Sequence, residues 1–289
     1  MNAVAEMIDT RPKTGRSFAA RLRAHLARAT LTQCRLCAHD CGVNRLAHPA
    51  GKCHASAEPR IFSAQTELTD EVELIPTYAI ALSGCDLRCV FCITGRESWD
   101  ATQGWPFDAG SLAVDATAAL RDGAASVMLL GGEPSVHLPA ALEFIAHMPD
   151  DARLIWKTNG HASAQAREFL DGMFDTWVVD FKFGNDACAQ LLAGVANYGA
   201  VVRENLRWAA AKTELIVRHL LMPGHLDCCW RPVAHWLAAE LPDVKVNLRD
   251  GFWPAWQSRR RPELLRGNQP TESRKAFDLA HDLGLRLIL

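Results

Sequence analysis

The chain has 289 residues, of which 49% are hydrophobic and 22% are charged, a composition typical of one globular domain with a small appendage. It carries 31 Lys and Arg against 33 Asp and Glu, so the net charge of −2 gives no global attraction to nucleic acid or to an anionic membrane. No apolar run is long enough to span a membrane, and no secretory signal is recognisable, which predicts a soluble cytoplasmic protein.

The first predicted element is a basic helix. The segment from Arg11 to Thr32 contains six Lys or Arg residues and no acidic residue. This pattern occurs in transit peptides, but it also fits a surface helix that packs on the body of the protein. We favour the packed helix.

Cysteine usage predicts metal binding. Seven of the ten cysteines lie between Cys34 and Cys92 in tight spacings, and a chain without an export signal is not expected to form disulfides. The other three cysteines have no ligand-like spacing, and we interpret them as small buried or incidental thiols. They are Cys188, Cys228 and Cys229.

An N-terminal cysteine module is predicted within residues 1–75. Its four thiols lie within twenty residues at Cys34, Cys37, Cys41 and Cys53. Four thiolates suit a structural zinc ion or an auxiliary iron–sulfur cluster, and the CX2C opening favours zinc. Two alternatives stay open: that no metal binds, and that His39 or His54 replaces a thiol as ligand.

Residues 76–289 alternate short β-rich runs with longer helical runs, as in a parallel sheet with crossover helices. The predicted strands are Thr77–Ser83, Ser126–Leu130, Arg153–Thr158, Thr176–Lys182, Glu214–Leu220 and Val244–Leu248, with Leu285–Leu289 as a seventh candidate. Each conspicuous polar motif follows the C-terminal end of a predicted strand, which is the arrangement of a TIM-type barrel. The predicted fold is therefore α/β, a partial (β/α)6 barrel with a small Cys-rich metal-binding appendage.

The loop after the first of these strands contains a CX3CX2C motif. Cys85, Cys89 and Cys92 offer three thiolates, and a [4Fe–4S] cluster with three Cys ligands leaves one iron open to an exogenous ligand. A zinc site with a remote fourth ligand is the alternative.

A glycine-rich motif follows the next strand. Gly131 and Gly132 allow close approach of the backbone to a ligand, and the carboxylate of Glu133 before Pro134 is a candidate acceptor for an ammonium group.

With these two motifs the chain resembles the radical S-adenosylmethionine (radical SAM) superfamily. Within it, residues 34–289 are most similar to the pyruvate formate-lyase activating enzyme and its uncharacterised relatives. Further motifs carry the resemblance, namely Cys-Gly-Val-Asn-Arg45, Gly-Arg-Glu-Ser-Trp-Asp100, Thr-Asn-Gly160, Val-Asp-Phe-Lys182 and Arg-His-Leu-Leu-Met-Pro-Gly224. It implies a radical SAM oxidoreductase in which a cluster electron cleaves S-adenosylmethionine to methionine and a 5′-deoxyadenosyl radical.

The resemblance also implies a set of cofactor-binding residues. Phe91 matches a position near the adenine, the Gly131-Gly132-Glu133-Pro134 motif matches the site of the methionyl ammonium, and the remaining candidates are Asn159, Asp180, Lys182 and Arg218. Arg218 is expected at the carboxylate or ribose end of the cofactor, with a surface ion-pair network as the alternative. The chain departs from the family at Lys157, where activating enzymes carry an acidic residue, and it lacks a clear counterpart of their histidine after the sixth strand.

The resemblance leaves the substrate open. An activating enzyme acts on a glycine of a partner glycyl radical enzyme, whereas other members modify small metabolites or peptides. The expected partners are an electron donor such as flavodoxin or ferredoxin and one of these substrates, with neither nucleic acid nor membrane. An alternative of another class is an iron–sulfur electron-transfer protein that does not cleave the cofactor.

Overall fold

The strands and helices predicted from residue 76 onward form a mostly parallel sheet in the computed structural model. The structure describes residues 15–69 and 71–288, so Arg11 to Thr14 of the basic segment and Leu289 of the last predicted strand lie outside the described residues. The strands are β1 (Arg60–Glu67), β2 (Thr77–Leu82), β3 (Trp105–Pro106), β4 (Ser126–Gly131), β5 (Leu154–Thr158), β6 (Thr176–Asp180), β7 (Glu214–Leu220), β8 (Lys245–Arg249) and β9 (Arg286–Leu287).

These strands form one sheet in the order β3-β1-β2-β4-β5-β6-β7-β8-β9. Neighbouring strands from β2 to β9 are parallel, whereas β1 is antiparallel to both β2 and β3. The six predicted strands are β2 and β4 to β8, and β9 is the seventh candidate. Because the sheet is mostly parallel and does not close, the predicted partial barrel is confirmed.

The first of the helices precedes the sheet, and the others lie between successive parallel strands, as a parallel sheet requires. They are α1 (Arg16–Thr30), α2 (Arg96–Trp99), α3 (Ala109–Arg121), α4 (Leu138–His147), α5 (Ala164–Leu170), α6 (Asp186–Ala193), α7 (Tyr198–Ala210), α8 (Arg231–Glu240) and α9 (Pro270–Asp282). Short polar side chains cap three of them: Asp108 begins α3, Ser163 begins α5 and Asn185 begins α6. In the described part of the chain, no helix is both long enough and apolar enough to cross a membrane.

The N-terminal part of the chain is attached closely to the sheet. The basic segment forms α1, which packs against α4, and the Arg16 guanidinium donates to the carbonyl oxygen of Ala152 (2.5 Å) and pairs with Asp175 (3.1 Å). The sequence does not predict β1, because Ile61 is the one fully buried side chain among its residues and the alternation is weak. Since β1 pairs with β2, the division proposed at residue 75 falls within one continuous sheet.

One face of the sheet is filled by the segment that precedes β2. The side chain of Leu74 packs on one fully buried residue from each of four strands, namely Met128, Ile155, Val178 and Ile216. Because side chains alternate along a strand, the residues two positions further on point to the same face. Three of these are Lys157, Asp180 and Arg218, so an apolar layer lies below a charged layer at the carboxyl ends of the strands.

Candidate active site

The three cysteines of the CX3CX2C motif lie on the loop that leaves β2. Cys85 and Cys89 are buried, Cys92 is partly buried, and all three are free thiols. Backbone amides fix the loop, because Arg88 N–H and Val90 N–H each donate to a carbonyl at the end of α6 (both 2.9 Å). The loop is thus held in place by the helix that follows β6.

The spread of these thiols suits an iron–sulfur cluster. Among residues 15–69 and 71–288, two groups of three or more His, Cys, Asp or Glu have ligand atoms all within 4.8 Å, and neither contains a cysteine of this loop. A single ion would hold its thiolates about 3.8 Å apart, given a Zn–S distance of about 2.3 Å, whereas each thiolate of a cubane binds a different iron. Burial raises the pKa of Cys89 to about 12, although nearby Lys182 opposes this, so a metal cation is needed to stabilise the thiolate near neutral pH.

Asp86 is the centre of a buried polar network that the sequence does not predict. Its carboxylate accepts a hydrogen bond from Asn159 Nδ2 (2.8 Å) and lies 2.7 Å from His161 Nδ1, and its backbone carbonyl is 2.9 Å from His39 Nε2. Burial disfavours the charged form, but His161 and Asn159 hold the pKa of Asp86 below its usual value. Since Asn159 Nδ2 also lies 3.7 Å from Cys85 Sγ, the network joins the cysteine loop to the end of β5 and to the N-terminal module.

The two glycines of the Gly-Gly-Glu-Pro motif let the end of β4 pack against the cysteine loop. A Cβ at Gly131 would lie 2.2 Å from the backbone nitrogen of Leu82, and one at Gly132 would lie 2.0 Å from the carbonyl oxygen of Gly84. The backbones also pair there, because Gly132 N–H donates to Leu82 (2.7 Å) and Glu133 N–H donates to Gly84 (2.9 Å). The glycines therefore position the cysteine loop through close backbone contact.

The Glu133 carboxylate is fully buried and bonded within the protein. Its Oε1 accepts from Thr158 Oγ1 (2.7 Å) and from a backbone amide two residues on (3.0 Å), and its Oε2 accepts from Asn159 N–H (2.7 Å). Burial, together with the charge of Asp86, raises the pKa of Glu133 to about 7. These hydrogen bonds join the ends of β4 and β5, and the expected contact of the motif with the methionyl ammonium stays a prediction. Pro134 begins the buried 3₁₀ turn that follows.

A second, charged group lies at the ends of β6 and β7. Asp180 pairs with Lys182 Nζ (2.5 Å) and with Arg218 Nε (3.7 Å). Arg218 and Lys157 also pair with Glu71, a fully buried carboxylate from the segment before β2 (3.3 and 3.5 Å). Lys157, at the position where activating enzymes carry an acid, therefore has an acidic partner from another part of the chain.

The sequence predicts that Glu133, Asp180 and Arg218 converge on one ligand. The structure brings Asp180 and Arg218 together and places Glu133 in the separate network at the end of β5. Each group borders the cysteine loop, one beside Cys85 and the other beside Cys89. The cysteine loop lies between the group that contains Glu133 and the group that contains Asp180 and Arg218. That all three residues bind one cofactor stays a prediction.

Phe91 lies in an aromatic group that covers the loop. It is 5% exposed, and its ring centroid lies 6.1 Å from that of Phe183 and 6.3 Å from that of Phe252. Phe252 belongs to the segment after β8, which folds back so that Gln257 N–H donates to the carbonyl of Val90 (2.8 Å). An aromatic pocket at this position suits the predicted contact with adenine.

The four N-terminal cysteines line one small cavity of about 10 Å³. They are Cys34, Cys37, Cys41 and Cys53. Within the described residues, no three of these four cysteines have their Sγ atoms all within 4.8 Å of one another. The four thiols are therefore spread more widely than one tetrahedral ion requires, as are the three thiols of the loop after β2. His39 bonds to the cysteine loop and His54 is exposed, and neither lines the cavity.

The profile of the Radical SAM superfamily matches residues 80–237, which is more than half of the chain. The chain belongs to the Radical SAM superfamily. An uncharacterized protein of Methanocaldococcus jannaschii is 29% identical over 277 residues, which cover 92% of this chain and 80% of that protein.

Two solved structures share the fold of this radical SAM chain. SuiB of Streptococcus suis, bound to its precursor peptide SuiA, is 16% identical with a TM-score of 0.53, and the match covers 70% of this chain and 46% of SuiB. A radical SAM methyltransferase of Sphaerobacter thermophilus is 17% identical with a TM-score of 0.52, and the match covers 72% of this chain and 64% of that one. The chain therefore spans less than two thirds of either protein.

Membership of the Radical SAM superfamily makes the chain a radical SAM enzyme and implies S-adenosylmethionine and an iron–sulfur cluster as its cofactors. The residues present fit both. The three loop thiols suit the cluster, and the groups that border the loop offer charged, amide and aromatic contacts to a nucleoside-linked amino acid. The sequence does not predict the buried polar contacts of Asp86, Glu71 and His161. His161 directly follows the Thr-Asn-Gly160 motif, and this adjacency is the one sequence feature that indicates a place near the site.

The bonding of Glu133 predicts a structural effect of Glu133→Gln. The amide would turn an N–H towards the backbone N–H of Asn159 or of Ser135, neither of which can accept, and a buried hydrogen bond lost in this way costs about 1–3 kcal/mol of unfolding free energy. Urea denaturation of the purified protein measures this. Glu143→Gln, at an exposed position of α4, is the matched control and should change stability by less than about 0.5 kcal/mol. Equal unfolding free energies for Glu133→Gln and Glu143→Gln would contradict the structural role of the Glu133 hydrogen bonds.

Proposed function

We propose that this chain holds a [4Fe–4S] cluster on Cys85, Cys89 and Cys92 and abstracts a hydrogen atom from its substrate. When bound, the cluster supplies the electron that cleaves S-adenosylmethionine into methionine and a 5′-deoxyadenosyl radical. The observation that carries the proposal is the set of three free thiols on one loop at the carboxyl end of the sheet, spread more widely than a single ion would require. Three ligands leave one iron open for the cofactor.

The chain's own residues bind the cofactor and orient it. Arg218 has two carboxylate partners and about a fifth of its side chain exposed, so its guanidinium can exchange one ion pair for a bidentate bond to the cofactor carboxylate. Asp180 is a candidate acceptor for a ribose hydroxyl, with Lys182 beside it. Phe91 contacts the adenine, and Asn159 orients the loop beside Cys85.

The proposed substrate is a glycine of a partner glycyl radical enzyme. Two large apolar side chains close to the cysteine loop support a protein partner, since Ile93 is 66% exposed and Trp253 is 61% exposed. Exposed apolar residues that cluster near a site mark contact surfaces. SuiB, which shares the fold over 46% of its length, is bound to a precursor peptide in its structure, and this supports a polypeptide substrate. A flavodoxin or ferredoxin is the proposed electron donor.

We also propose that the N-terminal module holds an auxiliary iron–sulfur cluster. The sequence favours zinc there, but the four thiols are more widely spread than the ligands of one ion. The module contacts the cysteine loop through His39 and the carbonyl of Asp86, so two clusters would lie close to one polar network. That proximity suits electron transfer to the loop after β2.

Cofactor cleavage tests the central proposal. Anaerobically reconstituted protein with dithionite and S-adenosylmethionine should release 5′-deoxyadenosine, measured by liquid chromatography and mass spectrometry. Replacing Cys85, Cys89 or Cys92 by Ala should abolish this release, because no other thiol lies on the loop. Asp115→Asn, at an exposed position of α3, should retain full release. Release by the triple Ala variant would overturn the assignment.

The substrate proposal has a separate test. A glycyl radical enzyme, incubated anaerobically with the reconstituted protein, S-adenosylmethionine and dithionite, should develop the electron paramagnetic resonance signal of a glycyl radical, while the cofactor is released as methionine and 5′-deoxyadenosine. Ile93→Asp should weaken this activation, because a charge in the contact surface is costly to desolvate, while cofactor cleavage without partner stays unchanged. If no protein signal forms although 5′-deoxyadenosine is released, the activase proposal fails and the radical chemistry stands.

The metal of the N-terminal module is tested by iron and sulfide analysis. A variant that lacks Cys85, Cys89 and Cys92 should still contain about four iron atoms and four sulfides per chain, held by the other cluster. Replacing Cys34, Cys37, Cys41 and Cys53 by Ala in the intact chain should remove the same amount and leave the loop cluster. Loss of zinc from this second variant, with iron unchanged, would establish the zinc site that the sequence favours.

A further inference from the structure

A group of three cysteines and one histidine lies outside both cysteine sites described above. Cys188 is in the first turn of α6, and the other three follow β7, where residues 226–230 form a π-helical turn. The group consists of Cys188, His225, Cys228 and Cys229, whose ligand atoms all lie within 4.8 Å of one another. The sequence gives no sign of it, because Cys188 is separated from the others by a strand and two helix segments.

The distances within the group match a tetrahedral ion. His225 Nδ1 lies 3.3 Å from Cys228 Sγ, 3.6 Å from Cys229 Sγ and 3.7 Å from Cys188 Sγ. The Sγ atom of Cys228 is 3.8 Å from that of Cys188 and 4.0 Å from that of Cys229. Zn–S distances of about 2.3 Å and Zn–N distances of about 2.0–2.1 Å place tetrahedral sulfurs about 3.8 Å apart and sulfur and nitrogen about 3.5 Å apart.

We propose that Cys188, His225, Cys228 and Cys229 bind one Zn²⁺ ion in a closed Cys3His site. Thiolate and imidazole ligands in tetrahedral geometry select zinc over magnesium, calcium and manganese. A cubane would need thiolates spread over several irons, and a disulfide would need two sulfurs about 2.05 Å apart. The observed sulfur–sulfur distances fit neither, and all three thiols are free.

Side-chain and backbone contacts around this site bring its ligands together. Asn185 caps α6 by accepting from Cys188 N–H (2.8 Å), and its Nδ2 donates to the carbonyl of Cys228 (2.6 Å), which joins the two loops. Gly184 allows a close approach, because a Cβ there would lie 2.3 Å from the carbonyl oxygen of Cys229. Consecutive side chains of an α-helix point about 100° apart. In the π-helical turn, the consecutive residues Cys228 and Cys229 have their Sγ atoms 4.0 Å apart.

The place of the group in the fold indicates a structural ion. Cys188 follows Lys182 by six residues and His225 follows Arg218 by seven, so an ion would tie the loop after β6 to the loop after β7. Four protein ligands leave no open position for a substrate. Cys229 and His225 are buried, which limits access of solvent. The zinc site therefore holds the rim that carries the charged group of the active site.

Metal analysis of the purified, unmodified chain tests the proposal. It should contain one zinc per chain that persists when Cys34, Cys37, Cys41 and Cys53 are replaced by Ala, and the X-ray absorption fine structure of this zinc should show three sulfurs at about 2.3 Å and one nitrogen at about 2.0–2.1 Å. The double variant Cys188→Ser/Cys228→Ser should lose this zinc and retain its iron and sulfide. Asp227→Asn, in the same turn but with an exposed side chain, should retain the zinc.

Several results would overturn the zinc assignment. They are a chain without zinc, zinc retained in full by the double variant, a different set of ligand atoms, or a Cys188–Cys228 disulfide found by mass spectrometry. The X-ray absorption measurement does not depend on the Cys188→Ser/Cys228→Ser variant, so it tests the proposal even if that variant fails to fold. Because iron, sulfide and 5′-deoxyadenosine report on the cluster on the loop after β2, failure of the zinc proposal and failure of the proposed function are separate results.

Discussion

Two carboxylates without solvent access, Asp86 and Glu133, impose the strictest constraint on this structure. A buried carboxylate is tolerated only where hydrogen-bond donors replace water, and here the donors come from segments far apart in the chain. Asn159 serves both, because its backbone N–H bonds to Glu133 and its side chain to Asp86. The ends of β4 and β5 and the cysteine loop after β2 are therefore held in one arrangement, and displacing any of them would leave a buried charge unpaired.

The hydrogen bonds of Asp86 and Glu133 also fix the position of the cysteine loop. The Gly-Gly pair at the end of β4 brings the backbone against Gly84, and Asn159 lies beside Cys85. On the other side of the loop, the charged group at the ends of β6 and β7 borders Cys89. The parallel sheet delivers both groups to its carboxyl edge, which is where a partial barrel collects its reactive side chains. Radical chemistry needs such a fixed frame, because the protein contributes orientation and shielding to a reaction that belongs to the cofactor.

The interior of the open barrel shows how the segment before β2 supports this edge. Leu74 completes an apolar layer, and Glu71 reaches the charged layer above it and pairs with Lys157 and Arg218. The buried acid at Glu71 offsets the basic residue at Lys157, so the local charge is balanced by a residue from another part of the chain. The proposed zinc group would join the loops after β6 and β7. The ends of these strands would then be held both by Glu71, through Arg218, and by the zinc ligands.

The sequence by itself determined the features that depend on local pattern. Short β-rich runs that alternate with helical runs located the six parallel strands. Cysteine spacing located both the CX3CX2C loop and the N-terminal module, because neighbours a few residues apart are fixed by the chain itself. Only the tertiary structure decided what depends on distant partners. The bonds of Glu133 to residues 25 and 26 positions away, the pairing of Lys157 with Glu71, and the meeting of Cys188 with Cys228 leave no periodic signal. The sequence also shows no clear pattern for strand β1, since its pairing with β2 and β3, rather than its own burial, makes it a strand.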